Sequence, residues 1–246
     1  MHKRIPRIIH YCWFGRKTPS RLAGECLRSW RQAAGDFQVK LWNEDNCDLG
    51  LNRYVEQAYA AGKFAFVSDY FRLLALYREG GVYLDTDVEL RHGLEPFLGH
   101  SSFLGFESAN SLGTAIMGAA AGSDWLRRCL DHYADRDFAL PDGGFDTTPN
   151  VKMITRIMVE AGLKIDGRRQ SLAGDIQIYP KLVFFPDRED LREPKSGAAA
   201  AEREAPTGCA IHHCEGSWMT FGQRLRALWF ELRGRARALC NSHKDQ

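Results

Sequence analysis

The stretch Gly80-Gly81-Val82-Tyr83-Leu84-Asp85-Thr86-Asp87, entered through Phe64-Ala65-Phe66-Val67-Ser68-Asp69-Tyr70-Phe71-Arg72-Leu73-Leu74-Ala75-Leu76-Tyr77, decides how this chain is read. In the approach, Val67, Phe71, Leu74 and Tyr77 recur at helical spacing, which predicts a buried helix. The glycine pair ends it, because glycine takes a left-handed cap without steric cost, and residues 82–90 read as a strand. Side chains alternate along a strand, so Tyr83, Asp85 and Asp87 are expected on one face, with Val82, Leu84, Thr86 and Val88 on the other.

Two carboxylates about 7 Å apart by strand rise repel each other, and a half-buried strand strips their water. A hard divalent metal between them relieves both costs. The alternative is a solvated strand end carrying two ordinary acids. The setting favours the metal: a Gly-Gly turn, a continuous apolar approach, and Asp69 and Arg72 on one helix face at i, i+3. Such a setting puts the acids at the carboxyl end of a core strand, where open α/β sheets bind ligands.

The 246 residues are enough for a substantial core, and 44 % apolar with 26 % charged residues is the composition of a soluble globular protein. Basic and acidic residues nearly cancel, 33 against 31, so charge gives no case for nucleic acid binding. No run of about 18 apolar residues exists, and the start Met1-His2-Lys3-Arg4-Ile5-Pro6 lacks the apolar segment of a secretory leader. Seven cysteines without a repeated spacing suit reduced thiols, and the expected compartment is the cytoplasm.

Residues 5–15 read as a first strand ending in Trp13-Phe14-Gly15, and Trp13 is read either as core or as a ring that stacks on a nucleobase. Residues 19–34 read as a helix, 37–42 as a strand and 51–61 as a helix. This alternation predicts an α/β fold with a mainly parallel sheet covered on both faces. Short strands follow at 103–106 and 114–119, a helix at 124–133, and a turn-rich loop at 141–146. A further helix starts with Thr148 as N-cap and Pro149 at its first position. Residues 187–208 read as a loop, either a lid or plain connection. In 209–218 a short strand could bring His212 to the acid pair, with His213 pointing the opposite way. Residues 221–240 read as a basic amphipathic helix, either packed on the domain or a peripheral contact with the inner face of a membrane.

Four motifs in order carry a family resemblance: residues 5–15, Ala65-Phe66-Val67-Ser68-Asp69-Tyr70-Phe71-Arg72, Gly80 to Asp87, and Ala210-Ile211-His212-His213 with Ser217-Trp218. Together they resemble glycosyltransferase family 32, with its DXD-containing sugar-binding region, which includes bacterial capsular polysaccharide synthesis proteins and a set of mannosyltransferases. The resemblance implies a GT-A fold over 1–246 as one catalytic domain. Residues 1–100 would be the nucleotide-sugar half, 101–220 the acceptor half and 221–246 the terminal helix. It also implies a nucleotide-sugar donor, a glycan or lipid-linked acceptor, Mn2+ or Mg2+, and a retaining outcome in surface polysaccharide synthesis. By position, Trp13 would stack on the base, Asp69 and Arg72 would hold the donor sugar, and Tyr83 would line the nucleotide site. Asp85, Asp87 and His212 would bind the metal, and Ser217 and Trp218 the diphosphate.

UDP-hexose is the first choice of donor and GDP-mannose the second. Asp146, on the loop expected at the acceptor side, is the candidate for stabilising the sugar cation. A glycoside hydrolase would also use paired carboxylates, but on separate strands flanking the scissile bond at about 5–9.5 Å. A noncatalytic sugar- or partner-binding protein could keep the fold and lose the metal, which the intact Asp85, Asp87 and His212 speak against.

Overall fold

The computed structural model describes residues 4–187, 190 and 206–215. The chain divides into two units, Met1–His213 and Cys214–Gln246, and the fold described here is that of the first. Ser217, Trp218 and the expected helix over 221–240 lie outside the described residues, as does most of the expected loop over 187–208. Among the described residues no helix is long and apolar enough to cross a membrane.

The first half alternates as expected. β1 (Ile8–Cys12) leads through α1 (Arg21–Ala33) to β2 (Gln38–Trp42), then through α2 (Arg53–Ala60) and α3 (Phe64–Glu79) to β3 (Gly81–Leu84). Helix starts follow local chemistry: the Ser20 hydroxyl accepts from the Ala23 amide, and the Asn52 side chain from that of Val55. β1 pairs in parallel with β2 on one side and β3 on the other.

Beyond β3 come β4 (Val88–Leu90), β5 (Ser102–Ser108), β6 (Ser111–Leu112), β7 (Ile116–Ala119), α4 (Asp124–Ala134), α5 (Asn150–Glu160), β8 (Gln170–Leu172), β9 (Ile176–Tyr179), α6 (Lys181–Phe184) and β10 (Ala210–His212). The main sheet runs β2-β1-β3-β7-β5-β9-β8, with β6 beside β5. Along this order β7 is antiparallel to both neighbours and β8 to β9, while the remaining strands share one direction. This is the mainly parallel α/β sheet the alternation predicts.

β3 is buried throughout: Tyr83 joins the apolar layer that holds α2 to α5, and Val82 and Leu84 join the layer that holds α1 and α6. The turn into β3 is clamped by His10. Its Nε2–H donates to the Gly80 carbonyl at 2.7 Å, while its Nδ1 accepts from Trp42 Nε1 at 3.0 Å. Burial lowers the His10 pKa and keeps it in the neutral form this pairing needs.

Two expectations are corrected. Residues 82–90 are not one strand: β3 stops at Leu84, and Asp85-Thr86-Asp87 is a turn closed by the Val88 amide on the Asp85 carbonyl at 3.0 Å. The reason is partner exchange, since β3 belongs to the main sheet and β4 pairs with β10 in a separate ribbon. Thr148 is not the N-cap of α5 either. Pro149 is, and the Thr148 amide donates to Asp146 Oδ1 at 3.1 Å.

Gly81 has φ 113°, and a Cβ there would lie 2.6 Å from the Ile8 carbonyl oxygen. Gly24, inside α1, has nothing within 4 Å of that position. Gly81→Ala should therefore lower the unfolding free energy by more than about 1 kcal/mol, while Gly24→Ala should raise it by about 0.5–1 kcal/mol. Denaturant titration checks both signs, and a harmless Gly81→Ala would contradict the close approach of β3 to β1.

Candidate functional site

The site is built where the chain leaves the sheet. The Asp85 amide still donates to Ala115 at 2.8 Å, one residue beyond β3, and the turn then carries Asp87 over to the ribbon. β10 runs antiparallel to β4 with His212 opposite Val88, and the His213 amide donates to the Asp87 carbonyl at 3.0 Å. His212 Nε2 thereby comes to 3.4 Å from Asp87 Oδ1. His213 points elsewhere, to Glu89 Oε2 at 3.0 Å, as alternation predicts.

One donor atom each of Asp85, Asp87 and His212 lies within 4.8 Å of the others. All three side chains are partly buried. A turn does this better than a strand, whose rise alone would hold the two acids about 7 Å apart. Two hard carboxylate oxygens and one imidazole form a donor set that fits a divalent cation.

Behind the trio stands Arg72. Its Nη2 lies 3.1 Å from Asp69 Oδ1 and 3.2 Å from Asp85 Oδ1. Nη1 donates to the carbonyl and hydroxyl oxygens of Thr114, each at 3.1 Å, and the guanidinium carbon sits 4.8 Å from the Tyr83 ring centre. The Tyr83 hydroxyl donates to Asp85 Oδ1 at 2.8 Å. Burial opposes the charge on Arg72, but Asp85, Tyr83 and Asp69 outweigh it and raise its pKa. Burial pushes the Asp69 carboxyl up to about 6, against the pull of Arg72 and with a push from Asp85. Helical spacing explains the Asp69–Arg72 pair. The reach of Arg72 to Asp85 and Thr114 is tertiary.

Trp13 follows β1 as Asp85 follows β3. Its indole Nε1 donates to the Lys17 carbonyl at 2.6 Å, which fixes the ring against its own loop. A cavity of about 350 Å³ opens there, lined by Tyr11, Trp13, Leu27, Arg28, Arg31 and Thr86 among others. The residue between the two acids, Thr86, thus borders the space that Trp13 walls, at the carboxyl ends of two adjacent parallel strands.

Asp146 is engaged elsewhere. Arg136 holds it through Nη2 at 2.7 Å and Nε at 2.8 Å, and the Arg136 guanidinium lies over the Tyr54 and Tyr133 rings. Burial pushes the Asp146 carboxyl up, but hydrogen bonds from Thr148 and Arg136 outweigh it and hold it below its ordinary value. Sequence reasoning missed Thr114, Arg136, Asn150 and Glu107. The Asn150 side-chain Nδ2 donates to the Asp69 backbone carbonyl at 3.3 Å, and no periodicity marks it. Glu107 was findable, being an acid at the end of an apolar strand like Asp85, and it lies 3.4 Å from His212 Nδ1.

Residues 20–104 match the family described as "Glycosyltransferase sugar-binding region containing DXD motif". The match contains Asp69, Arg72, Tyr83, Asp85 and Asp87. Among curated proteins, the chain is similar to inositol phosphoceramide mannosyltransferase 3 of Schizosaccharomyces pombe, 27 % identical over 130 residues, covering 50 % of this chain and 35 % of that protein. It is also similar to inositol phosphoceramide mannosyltransferase 1 of the same yeast, 27 % identical over 113 residues, covering 42 % and 34 %. The matches thus span about a third of those relatives' lengths. A solved structure titled "PaToxG Glycosyltransferase" is similar at 17 % identity with a TM-score of 0.48, over 64 % of this chain and 69 % of that one.

Asp69 provides a pH test. A carboxyl whose folded-state pKa is raised favours the fold while protonated. That contribution is complete below the ordinary value of 3.8 and is lost as pH rises through about 6. In denaturant titrations, the wild-type chain should lose stability relative to Asp69→Asn as pH rises from about 4 to about 7. A difference independent of pH would contradict the buried placement of this acid.

Proposed function

We propose that the chain, with its DXD-containing sugar-binding region, is a metal-dependent glycosyltransferase of the GT-A type. It would move a hexose from a nucleotide sugar to a glycan or lipid-linked saccharide acceptor, with retention, in surface polysaccharide synthesis at the cytoplasmic side. The observation that carries the reading is the convergence of Asp85, Asp87 and His212 within 4.8 Å. Thr86, between the two acids, also lines the cavity walled by Trp13. Convergence on one point suits chelation better than the opposed carboxylates of a hydrolase.

The roles follow from charge. When the glycosidic bond of a sugar nucleotide breaks, negative charge grows on the diphosphate and positive charge on the sugar ring. Asp85, Asp87 and His212 would hold the divalent cation, which when bound stabilises the departing diphosphate as a Lewis acid without proton transfer. Arg72 and Tyr83 hold the Asp85 carboxylate at 3.2 Å and 2.8 Å, so the donor atoms are set before substrate arrives. Tyr11 and Trp13 offer aromatic surface to the base. Asp69 is assigned to the donor sugar with Arg72, and Ser217 and Trp218 to the diphosphate. Asp146, held by Arg136, is assigned to the sugar cation from the acceptor side. We read 1–246 as one catalytic domain with its donor half in 1–100. The yeast relatives named as mannosyltransferases favour mannose as the hexose to test beside UDP-hexoses.

Two measurements test this. Asp85→Asn and Asp87→Asn should each reduce transfer by two or more powers of ten, since the clamp is worth several kcal/mol of transition-state stabilisation, and normal turnover would refute the metal role. UDP or GDP at about a hundred times its Kd should stabilise the fold by about 2.7 kcal/mol when Mn2+ or Mg2+ is present and not otherwise. Stabilisation that ignores the metal counts against the clamp.

A further inference from the structure

Glu107 is the penultimate residue of β5, between the buried Phe106 and the exposed Ser108. Its carboxylate is about one-third exposed, and Oε1 lies 3.4 Å from His212 Nδ1. The other nitrogen of the same ring, Nε2, lies 3.4 Å from Asp87 Oδ1. The imidazole is thus strung between two carboxylates, one on each nitrogen. Phe185 meets the ring edge-on, with centroids 6.1 Å apart and an interplanar angle of 75°. Among the described residues no lysine or arginine pairs with Glu107, so His212 is the group its charge addresses.

A neutral imidazole carries one proton, and the group on one nitrogen decides which lone pair is left for a cation. A carboxylate beside Nδ1 holds the proton there and leaves Nε2 unprotonated, with its lone pair as donor. We propose that Glu107 is a positioning residue of the cation site, fixing the tautomer and orientation of His212 so that Nε2 faces the cation held by Asp85 and Asp87. This rests on the reading of Asp85, Asp87 and His212 as ligands. Partners of this kind typically change metal affinity by about 10–100-fold.

The test is Mn2+ titration of the full chain, followed by the electron paramagnetic resonance of free Mn2+, with the nitrogen hyperfine signal of bound imidazole as second readout. Wild type should bind one Mn2+ with a nitrogen signal, and Asp85→Asn should not bind. Glu107→Ala should weaken binding about 10–100-fold and diminish the nitrogen signal. Glu107→Gln, which keeps an oxygen acceptor, should restore both. In a His212→Ala background, Glu107→Ala should add no further loss. Should Glu107→Ala fail to melt cooperatively, Glu107→Met keeps the chain length and removes the acceptor. Wild-type affinity and nitrogen signal in the acceptor-less variant would overturn the proposal. So would an equal loss in the His212→Ala background, which would make Glu107 a ligand itself. A wild-type chain that binds no Mn2+ would remove the site reading and this proposal with it.

Discussion

A single buried guanidinium, that of Arg72, holds the site in shape. Its Nη2 lies between Asp69 and Asp85, at 3.1 Å and 3.2 Å, and Nη1 is spent on Thr114. Removing one member of such a buried pair leaves an uncompensated charge and typically costs about 3–5 kcal/mol, so the acids and the cation are tied together. Because Arg72 lies on α3, Asp85 just beyond β3, and Thr114 ahead of β7, the same contacts fasten the longest described helix to the middle of the sheet. Two carboxylates, Asp69 and Asp85, share this one arginine, while Asp87 at the other end of the turn meets His212 instead. On the side away from Arg72, Asp85 joins Asp87 and His212 in the group whose donor atoms lie within 4.8 Å of one another.

The turn at Asp85-Thr86-Asp87 shows why the strand argument reached the right residues by the wrong geometry. Alternation predicts that two acids spaced by one residue share a face, and that is enough to bring them to one side. What brings their oxygens within chelating distance is the chain turning out of the main sheet to pair β4 with β10. That pairing also delivers His212, which is more than 120 residues away in sequence. Partner exchange between sheets therefore makes the site, and the glycine pair and the His10 clamp set where β3 begins.

The first half of the fold was legible because its signals are local. The apolar run of α3, the alternation of short strands with helices from 5 to 61, and the glycines before β3 each state their structure within a few residues. The second half was less so: β6, β8, β9 and α6 are short, with little periodicity to read. Within the site, the Asp69–Arg72 pair and the acids of the turn could be read from spacing. Thr114 and Asn150 could not, because each contributes through a contact with a distant element. The engagement of Asp146 with Arg136 was equally hidden, since a turn-rich loop says where an acid lies in the chain and not which cation it meets.

The account stands or falls on whether a cation binds at the meeting point of Asp85, Asp87 and His212. The most direct measurement is a crystal of the chain grown with Mn2+ and a nucleoside diphosphate, with anomalous scattering collected at the manganese edge. The account predicts one strong peak bonded to carboxylate oxygens of Asp85 and Asp87 and to His212 Nε2, with the diphosphate on its open side. A manganese peak elsewhere, or a nucleotide bound beside Trp13 with no metal between these three residues, would contradict it.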